Sequence, residues 1–404
     1  MKYPITPEFL QDIPEQITVL YERLADYLIA DMCSRFEYRE EATGTVIMHL
    51  RQLIRQGYSK EALQKYLKKM VNITDAEFNK AWGLALGENQ TYFDAVVGSN
   101  AAFSRDAFDS SIATIYTQTR GELKNITRTM GFAIRVAGNV QMLDLDETYI
   151  HLMDEALMKV QGGVSYNVAI REAVQQLTDS GVQYINYESG WHNRVDVAAR
   201  RAVLTGVVQM SRQYSEQTAE ILETPYREVS AHRGARDVDK PNPWSNHKRW
   251  QGKVYSIYNK DKYPSIYDVC GLDQVDGLCG ANCRHIYHAF VDGVTERTYT
   301  DEELSNIDPP PFTYQGKEYS FYEATQKQRQ IETALRKVKR EAIGAKASGD
   351  DEQDTVKAAR YKRLTDEYHD FCKAAGLREQ IERSNIAGFG VMETKELLKA
   401  LKDV

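Results

Sequence analysis

The chain has 404 residues, which is long for a single hydrophobic core, so we expect two or three packed units. Its hydrophobic content of 42% and its charged content of 27% are ordinary for a soluble globular protein. The formal net charge of −7 argues against a protein that coats nucleic acid over its whole surface. Any contact with DNA would therefore be local.

Neither a membrane segment nor a disulfide framework is expected. No apolar run approaches the length of a bilayer-spanning helix, and the stretch MKYPITPEFLQDIPEQ is polar and acidic, unlike a secretory signal. The cysteines are odd in number and scattered, at Cys33, Cys270, Cys279, Cys283 and Cys372. These features predict a protein that folds in a cytoplasm and does not bind membranes.

Apolar residues at helical spacing dominate the first 225 residues. They predict helices around residues 46–54, 59–70, 103–130, 145–160, 168–177 and 194–222. Thr74 and Glu77 have the form of a capping box and predict that another helix begins there. Pro225 cannot continue the last of these helices, so we place a domain boundary at this point.

The pattern changes between residues 226 and 300. Short apolar alternations in YREVSAH, KVYSIY and HIYHAFV predict three strands. The segments between them are rich in Gly, Pro, Asn and Asp, which predicts structured loops. We therefore expect a small domain with a mixed or antiparallel sheet.

Helices return after the sequence DPPP. Ser320 and Glu323 form a second capping-box pattern, which begins a basic helix that extends to about Lys346. A turn at SGDD leads into another helix, with Gly376 placed to cap its C-terminus. Two long helices around a short turn predict an αα-hairpin, and a short helix over residues 394–401 follows.

The predicted fold class is α+β and mainly helical. We divide the chain into an N-terminal helical region, a second helical part, the small α+β domain, and a C-terminal helical hairpin with a tail. Their ranges are 1–140, 141–225, 226–300 and 301–404.

Cysteines and histidines crowd the small domain. The candidates are Cys270, Cys279, Cys283, His285 and His288, with His232 and His247 upstream. Zinc requires four N or S ligands, but the spacing C-x8-C-x3-C-x-H-x2-H matches no common zinc pattern. In a strand, His285 and His288 would point to opposite faces, whereas Cys283 and His285 would share one. We therefore favour buried thiols and hydrogen-bonded histidines over a bound metal.

The stretch GLCGANCRH is predicted to be a loop that leads into the strand over 285–291 and stabilises the domain. Asn282 can bond its own loop, and Arg284 can bridge to carbonyls or to an acidic side chain. Cys283 is expected to be buried, because a small thiol fills space where a longer side chain would clash. A disulfide to Cys279 would close a very small loop, so we do not expect one.

Two stretches upstream have residues of interest. Arg236 in HRGARD either holds an anion or anchors its loop through carbonyl groups, and we favour the loop. In HKRWQGKVY, Trp250 is predicted to anchor the core and Gly252 to permit the turn into a strand. The same stretch mixes basic and aromatic residues, as single-strand binders do.

No Walker loop, G-x-G-x-x-G motif, HExxH motif or nucleophile elbow is present, so we predict no catalytic residue, no metal and no cofactor. One alternative is a metal-dependent hydrolase or nuclease that uses Cys279, Cys283, His285 and an upstream histidine.

A second alternative is a local DNA-binding module. The helix that begins near Glu323 is rich in basic residues, which could contact DNA or an acidic partner protein. The residues proposed for this contact are Arg336, Lys337, Lys339 and Arg340.

A series of ordered motifs covers residues 144–384. It comprises YNVAIREAVQQLTDSGVQYINYESGWHNRVDVAARRAVLTGV, SAHRGAR, HKRWQGKVYS, GLCGANCRHIYHAFVDG, KQRQIETALRKVKRE and FCKAAGLREQIERS. Together these motifs resemble the phage minor capsid protein 2 family, which is related to the Mu F-like head morphogenesis proteins. The core of the Mu F-like proteins has a His-containing loop, a W-x-G-like turn and an N-C-R element. The corresponding positions are His232, His247, Trp250, Gly252, Asn282, Cys283 and Arg284.

The resemblance implies a structural minor head protein of a tailed bacteriophage, present in few copies near the portal vertex or in the capsid interior. It implies a role in head assembly or in DNA packaging or ejection. The implied partners are the portal protein, other head proteins and packaged DNA, and assembly would take place in the cytoplasm of the host bacterium. Some Mu F-like proteins have a toxin or enzyme module after the core, whereas this chain has only the helical hairpin and tail there.

Overall fold

The computed structural model describes residues 5–36, 43–57, 61–98, 104–185, 192–259, 261–350, 354–386 and 388–399. Within these ranges the α-helices are α1 (Pro7–Asp12), α2 (Glu15–Cys33), α3 (Thr43–Gln56), α4 (Glu61–Val97), α5 (Arg105–Arg128), α6 (Leu145–Gln161), α7 (Tyr166–Ser180), α8 (Val195–Ile221), α9 (Ile266–Cys270), α10 (Asp301–Ser305), α11 (Phe321–Ser348), α12 (Asp354–Ala375) and α13 (Val391–Lys399). None of these helices is long and apolar enough to cross a membrane.

The strands in the same ranges form three antiparallel sheets. They are β1 (Met130–Val136), β2 (Asn139–Asp144), β3 (Gln183–Ile185), β4 (His192–Arg194), β5 (Tyr226–Val229), β6 (Val254–Ser256), β7 (Tyr287–Phe290), β8 (Phe312–Tyr314) and β9 (Lys317–Tyr319). The predicted α+β fold with a predominance of helix is confirmed.

Contacts divide the chain into two compact units, and each unit combines three separate segments. Unit 1 comprises Met1–Ile17, Thr74–Leu123 and Ala199–Thr325. Unit 2 comprises Thr18–Ile73, Lys124–Ala198 and Gln326–Val404. The four consecutive segments proposed from the sequence stay a prediction about sequence organisation.

Several helix ends follow local capping chemistry. The Ser320 hydroxyl accepts the backbone N–H of Glu323, and the Glu323 carboxylate accepts the backbone N–H of Ser320, which confirms the capping box that begins α11. At the other end of the hairpin, Gly376 has a φ of 60° after α12. The N–H of Leu377 donates to the Cys372 carbonyl over 2.9 Å, as in a Schellman motif.

The predicted helix start at Thr74 and Glu77 is wrong. Helix α4 passes through both residues without a break. Thr74 is buried, and Phe78 and Trp82 are buried one and two turns later, so packing of one apolar face favours a continuous helix over a cap. Residues 59, 60, 103, 400 and 401 of the predicted helices lie outside the described residues.

The predicted helical region over 1–140 overlooked a β-hairpin. Strands β1 and β2 pair with Val136 opposite Asn139, and the two residues between them, Ala137 and Gly138, have φ values of 47° and 84°. Two consecutive positive φ angles are typical of a type I′ turn. The hairpin joins β3 and β4 in a sheet of order β2-β1-β3-β4 in unit 2.

The three strands predicted between residues 226 and 300 are confirmed as β5, β6 and β7. They form an antiparallel sheet of order β6-β5-β7 in unit 1. A buried apolar cluster packs in this domain and comprises Val229, Trp250, Tyr255, Ile266, Cys270, Leu272, Leu278, Cys283 and Tyr287. This core positions the loops that contain the candidate site.

Candidate functional site

Four side chains meet in the small domain of unit 1 and form what we call the His/Cys cluster: His232, His247, Cys283 and His285. His232 follows β5, His247 begins a 3-10 turn, and Cys283 and His285 lie in the segment before β7. Strands β5 and β7 are antiparallel neighbours, so the residues that follow one strand lie beside those that precede the other.

The cluster is centred on the Cys283 thiol. Its Sγ lies 3.6 Å from His285 Nδ1 and 3.8 Å from His247 Nδ1, and ligand atoms of these three residues lie within 4.8 Å of one another. The His232 ring stacks on the His285 ring with a centroid separation of 4.4 Å. Cys283 and His285 are 1% exposed and His247 is 2% exposed, so the three residues are closed to solvent.

Neighbouring acceptors fix the tautomers of two histidines. His247 Nε2 lies 3.0 Å from the Asp276 carbonyl oxygen, which can only accept, so this nitrogen has the proton. His285 Nε2 lies 3.1 Å from Gln251 Oε1. That oxygen also accepts the backbone N–H of His232 over 3.0 Å, which identifies it as the amide oxygen. Both Nδ1 atoms therefore present lone pairs to the thiol between them.

Burial keeps the cluster neutral. It lowers the pKa of His247 to about 4 and that of His232 to about 3, the latter with the help of the Arg284 charge. Burial also lowers the pKa of His285 well below its ordinary value of 6.5 and raises the pKa of the Cys283 thiol. At neutral pH the site therefore holds neutral imidazoles and a protonated thiol.

Trp250 and Gly252 lie in the segment that follows His247. Trp250 is buried, and its indole N–H donates to the Trp244 carbonyl over 2.8 Å. Its ring centroid lies 4.6 Å from that of His247, so it forms part of the wall of the cluster. Gly252 has a φ of 70°, and a Cβ at this position would overlap the Leu304 side chain.

Both arginines near the cluster form hydrogen bonds within unit 1. Arg236 donates to the carbonyl oxygens of Asp276 and Ala281 over 2.9 and 3.2 Å. Arg284 donates to the Gln11 side-chain oxygen. The guanidinium of Arg236 therefore connects two carbonyl groups of the loop.

The remaining candidates Cys279, Asn282 and His288 differ in backbone conformation and in contacts. Cys279 and Asn282 have left-handed φ angles of 61° and 58°, and Cys279 Sγ lies 3.7 Å from the His285 carbonyl oxygen. His288 instead packs against the Tyr92 ring at a centroid separation of 5.4 Å. His285 lies in the cluster before β7, and His288 lies within β7.

The family model for phage minor capsid protein 2 matches residues 5–373. The chain belongs to the phage minor capsid protein 2 family. It is a structural protein of a bacteriophage head. The match also includes residues 5–140, which contain none of the motifs that carried the resemblance. No curated protein and no solved structure matches this minor capsid protein.

The basic residues predicted to contact DNA or a partner lie in unit 2 of the minor capsid protein: Arg336, Lys337, Lys339 and Arg340. Lys339 Nζ donates to the Ser384 carbonyl over 2.6 Å, and Arg340 Nε donates to an Asp26 carboxylate oxygen over 3.0 Å. Both side chains are buried. Helix α11 therefore turns Lys339 and Arg340 toward the interior of unit 2.

The remaining two basic residues are paired with acids. Arg336 contacts the Glu22 carboxylate and is largely shielded from solvent. Lys337 is partly exposed and pairs with Asp179 over 2.8 Å. Because these four basic residues are paired or buried, few of their charges are available to bind a phosphate backbone. Contact of the minor capsid protein with DNA stays a prediction.

Sequence reasoning missed Gln251 and Asp276, which orient the cluster histidines. Gln251 stands between Trp250 and Gly252, and no sequence signal distinguishes it from other polar residues of this loop. The Asp276 carboxylate accepts the Trp244 indole N–H over 2.9 Å, which fixes the loop whose carbonyl meets His247. No spacing rule connects these residues, because the contacts depend on how two long loops close on each other.

Proposed function

We propose that this minor capsid protein is a low-copy, non-enzymatic component of the head that lies near the portal vertex or in the capsid interior. It would act in head assembly or in DNA packaging or ejection, in contact with the portal protein and other head proteins. Membership of the minor capsid family supports the structural role.

The burial of the His/Cys cluster is the observation that carries this proposal. A catalytic zinc keeps an open position that substrate or water can reach. His247, Cys283 and His285 are closed to solvent, and Trp250 covers one side of them. Such a centre is suited to holding loops together, so the cluster favours a structural part over a hydrolase or nuclease.

Localisation in the particle is the direct test. Cryo-EM reconstruction of the virion without imposed symmetry should place the chain at the portal vertex or inside the capsid. Quantitative mass spectrometry of the same particles should give far fewer copies than of the major shell protein. A chain at the tail tip, spread evenly over the shell, or absent from particles would contradict the proposal.

An activity measurement separates the structural role from the enzymatic one. The purified full-length protein should leave single-stranded and double-stranded DNA intact in the presence of zinc or magnesium. DNA cleavage that is abolished by Cys283→Ser but retained by Cys270→Ser would favour a nuclease instead, since both cysteines are buried in the same core.

A further inference from the structure

We propose that His247, Cys283 and His285 supply three of the four ligands of a structural zinc site, with His247 Nδ1, Cys283 Sγ and His285 Nδ1 as the ligand atoms. One thiolate and two neutral imidazoles are donors that zinc prefers in proteins. The three residues come from two loops that are 36 residues apart in the chain, as the separation of His247 and Cys283 shows. An ion at this point would join those loops.

The two sulfur-to-nitrogen distances match those of a tetrahedral zinc centre. Zinc lies about 2.3 Å from sulfur and about 2.0–2.1 Å from imidazole nitrogen, so a tetrahedral angle separates sulfur from nitrogen by about 3.6 Å. The separations from Cys283 Sγ are 3.6 Å to His285 Nδ1 and 3.8 Å to His247 Nδ1. Both separations suit the ion, and the ligand atoms of the two histidines lie within 4.8 Å of each other.

The number of hydrogen-bond donors and acceptors around Cys283 Sγ also favours a bound ion. Both Nδ1 atoms present lone pairs to Cys283 Sγ, yet a thiol has a single proton and can satisfy only one of them. The backbone N–H of His285 also donates to this sulfur over 3.4 Å, which is the arrangement that stabilises a thiolate. A zinc ion would pair with both nitrogens and the sulfur at once, after the thiol proton has passed to solvent.

The hydrogen-bond acceptors around the two histidine ligands are also arranged as in a metal site. Ligating histidines usually donate their other ring N–H to a carbonyl or carboxylate, which fixes the tautomer and the ring orientation. His247 Nε2 has the Asp276 carbonyl as its acceptor, and His285 Nε2 has the Gln251 side-chain oxygen. Both rings are therefore held with the Nδ1 atom toward the sulfur.

Nearby charges affect the affinity of the site for zinc in two opposite ways. The charges of Arg236 and Arg284 act on His285, which disfavours a cation. The thiolate of Cys283 would offset one positive charge of the ion, and the Asp276 carboxylate near His247 contributes another negative charge. Burial raises the free-energy cost of an unpaired lone pair and slows exchange of a bound ion, so we expect zinc to bind as the domain folds.

Metal content of the purified full-length protein tests the proposal. After expression with zinc and exhaustive dialysis, the wild type should retain about one zinc ion per chain. Cys283→Ser should retain less than about a tenth of that amount, whereas Cys270→Ser, which alters another buried thiol of the same core, should match the wild type. A wild type that neither retains nor takes up zinc would overturn the proposal, as would full zinc content in Cys283→Ser.

Cobalt substitution keeps the test decisive if Cys283→Ser fails to fold. Cobalt in the wild-type protein should show a sulfur-to-metal charge-transfer band and the visible absorption of a tetrahedral ion. Loss of part of this band in Cys279→Ser would add Cys279 as the fourth ligand and support the site. Cobalt bound without any charge-transfer band would show that Cys283 is not a ligand, and the proposal would be wrong.

Discussion

Arg340 Nε donates a hydrogen bond to an Asp26 carboxylate oxygen over 3.0 Å, with 4% of the arginine side chain and none of the aspartate side chain exposed. In the same unit, Arg194 pairs with Asp196 over 3.0 Å, and Arg336 lies 3.6 Å from Asp196. Buried charges are tolerated when they are paired in this way. The basic residues on this side of α11 therefore form ion pairs in the interior of unit 2.

Breaking the pair should destabilise unit 2 strongly. Arg340→Met removes the charge but keeps much of the side-chain volume, so Asp26 would lose its buried partner. We expect a loss of about 3–5 kcal/mol in the free energy of unfolding. Lys337→Met, which breaks the half-exposed pair with Asp179, should cost less than about 1 kcal/mol. Urea unfolding followed by circular dichroism compares the two, and equal losses would contradict a buried network.

Glu22 makes the stability of the same unit depend on pH. Burial raises the pKa of Glu22 from 4.5 to about 7, although the Arg336 charge opposes this shift. The folded state thus keeps the proton at pH values where the unfolded state has lost it. The contribution of Glu22 to the free energy of unfolding is fully present below about pH 4.5 and is lost as the pH rises to about 7.

Glu22→Gln should remove that dependence, because the amide has no proton to lose. The variant should gain about 1–3 kcal/mol relative to the wild type between pH 4.5 and pH 8. Chemical denaturation at both pH values measures the difference. Glu172→Gln, which removes a half-exposed carboxylate paired with Lys159 in the same unit, is the control for the loss of one negative charge. A constant difference between Glu22→Gln and the wild type at all pH values would contradict the raised pKa.

The two capping-box patterns show when a local sequence pattern predicts the start of a helix. Ser320 begins a helix because the chain leaves a strand immediately before it, so the cap competes with no other structure. At Thr74 the chain is already helical, and Phe78 continues a buried apolar face, so the cap does not form. A capping pattern therefore predicts a helix start only where another signal ends the preceding element.

The candidate site was predictable only in part. The spacing of Cys283 and His285 predicts that they share a face, and His247 was one of two upstream candidates. The choice of His247 over His232, and the roles of Gln251 and Asp276, depend on tertiary contacts between loops. Sequence spacing has no information about those contacts, since irregular loops have no fixed period.

Gly252 should be sensitive to any side chain. It has a φ of 70°, and a Cβ would overlap Leu304 and lie 3.2 Å from the Ala231 Cβ. Gly293 has a similar φ of 77°, but no heavy atom lies within 4 Å of its Cβ position. Gly293→Ala should cost about 1 kcal/mol for the backbone alone, and Gly252→Ala about 2–3 kcal/mol because it adds overpacking. Thermal melts with equal losses for the two variants would show that Leu304 moves aside freely.

Cys283→Ala separates a zinc-bound thiol from a thiol that only fills space. If the residue only packs, its loss leaves a small cavity and costs about 1 kcal/mol. With zinc bound, the cost should be several times larger, because the ion contributes folding free energy. A strong chelator should then lower the melting temperature of the wild type and of Cys270→Ala, a cavity variant in the same core, but leave Cys283→Ala unchanged. A chelator that does not alter the wild-type melt, together with a loss of only about 1 kcal/mol in Cys283→Ala, would assign the thiol to packing alone.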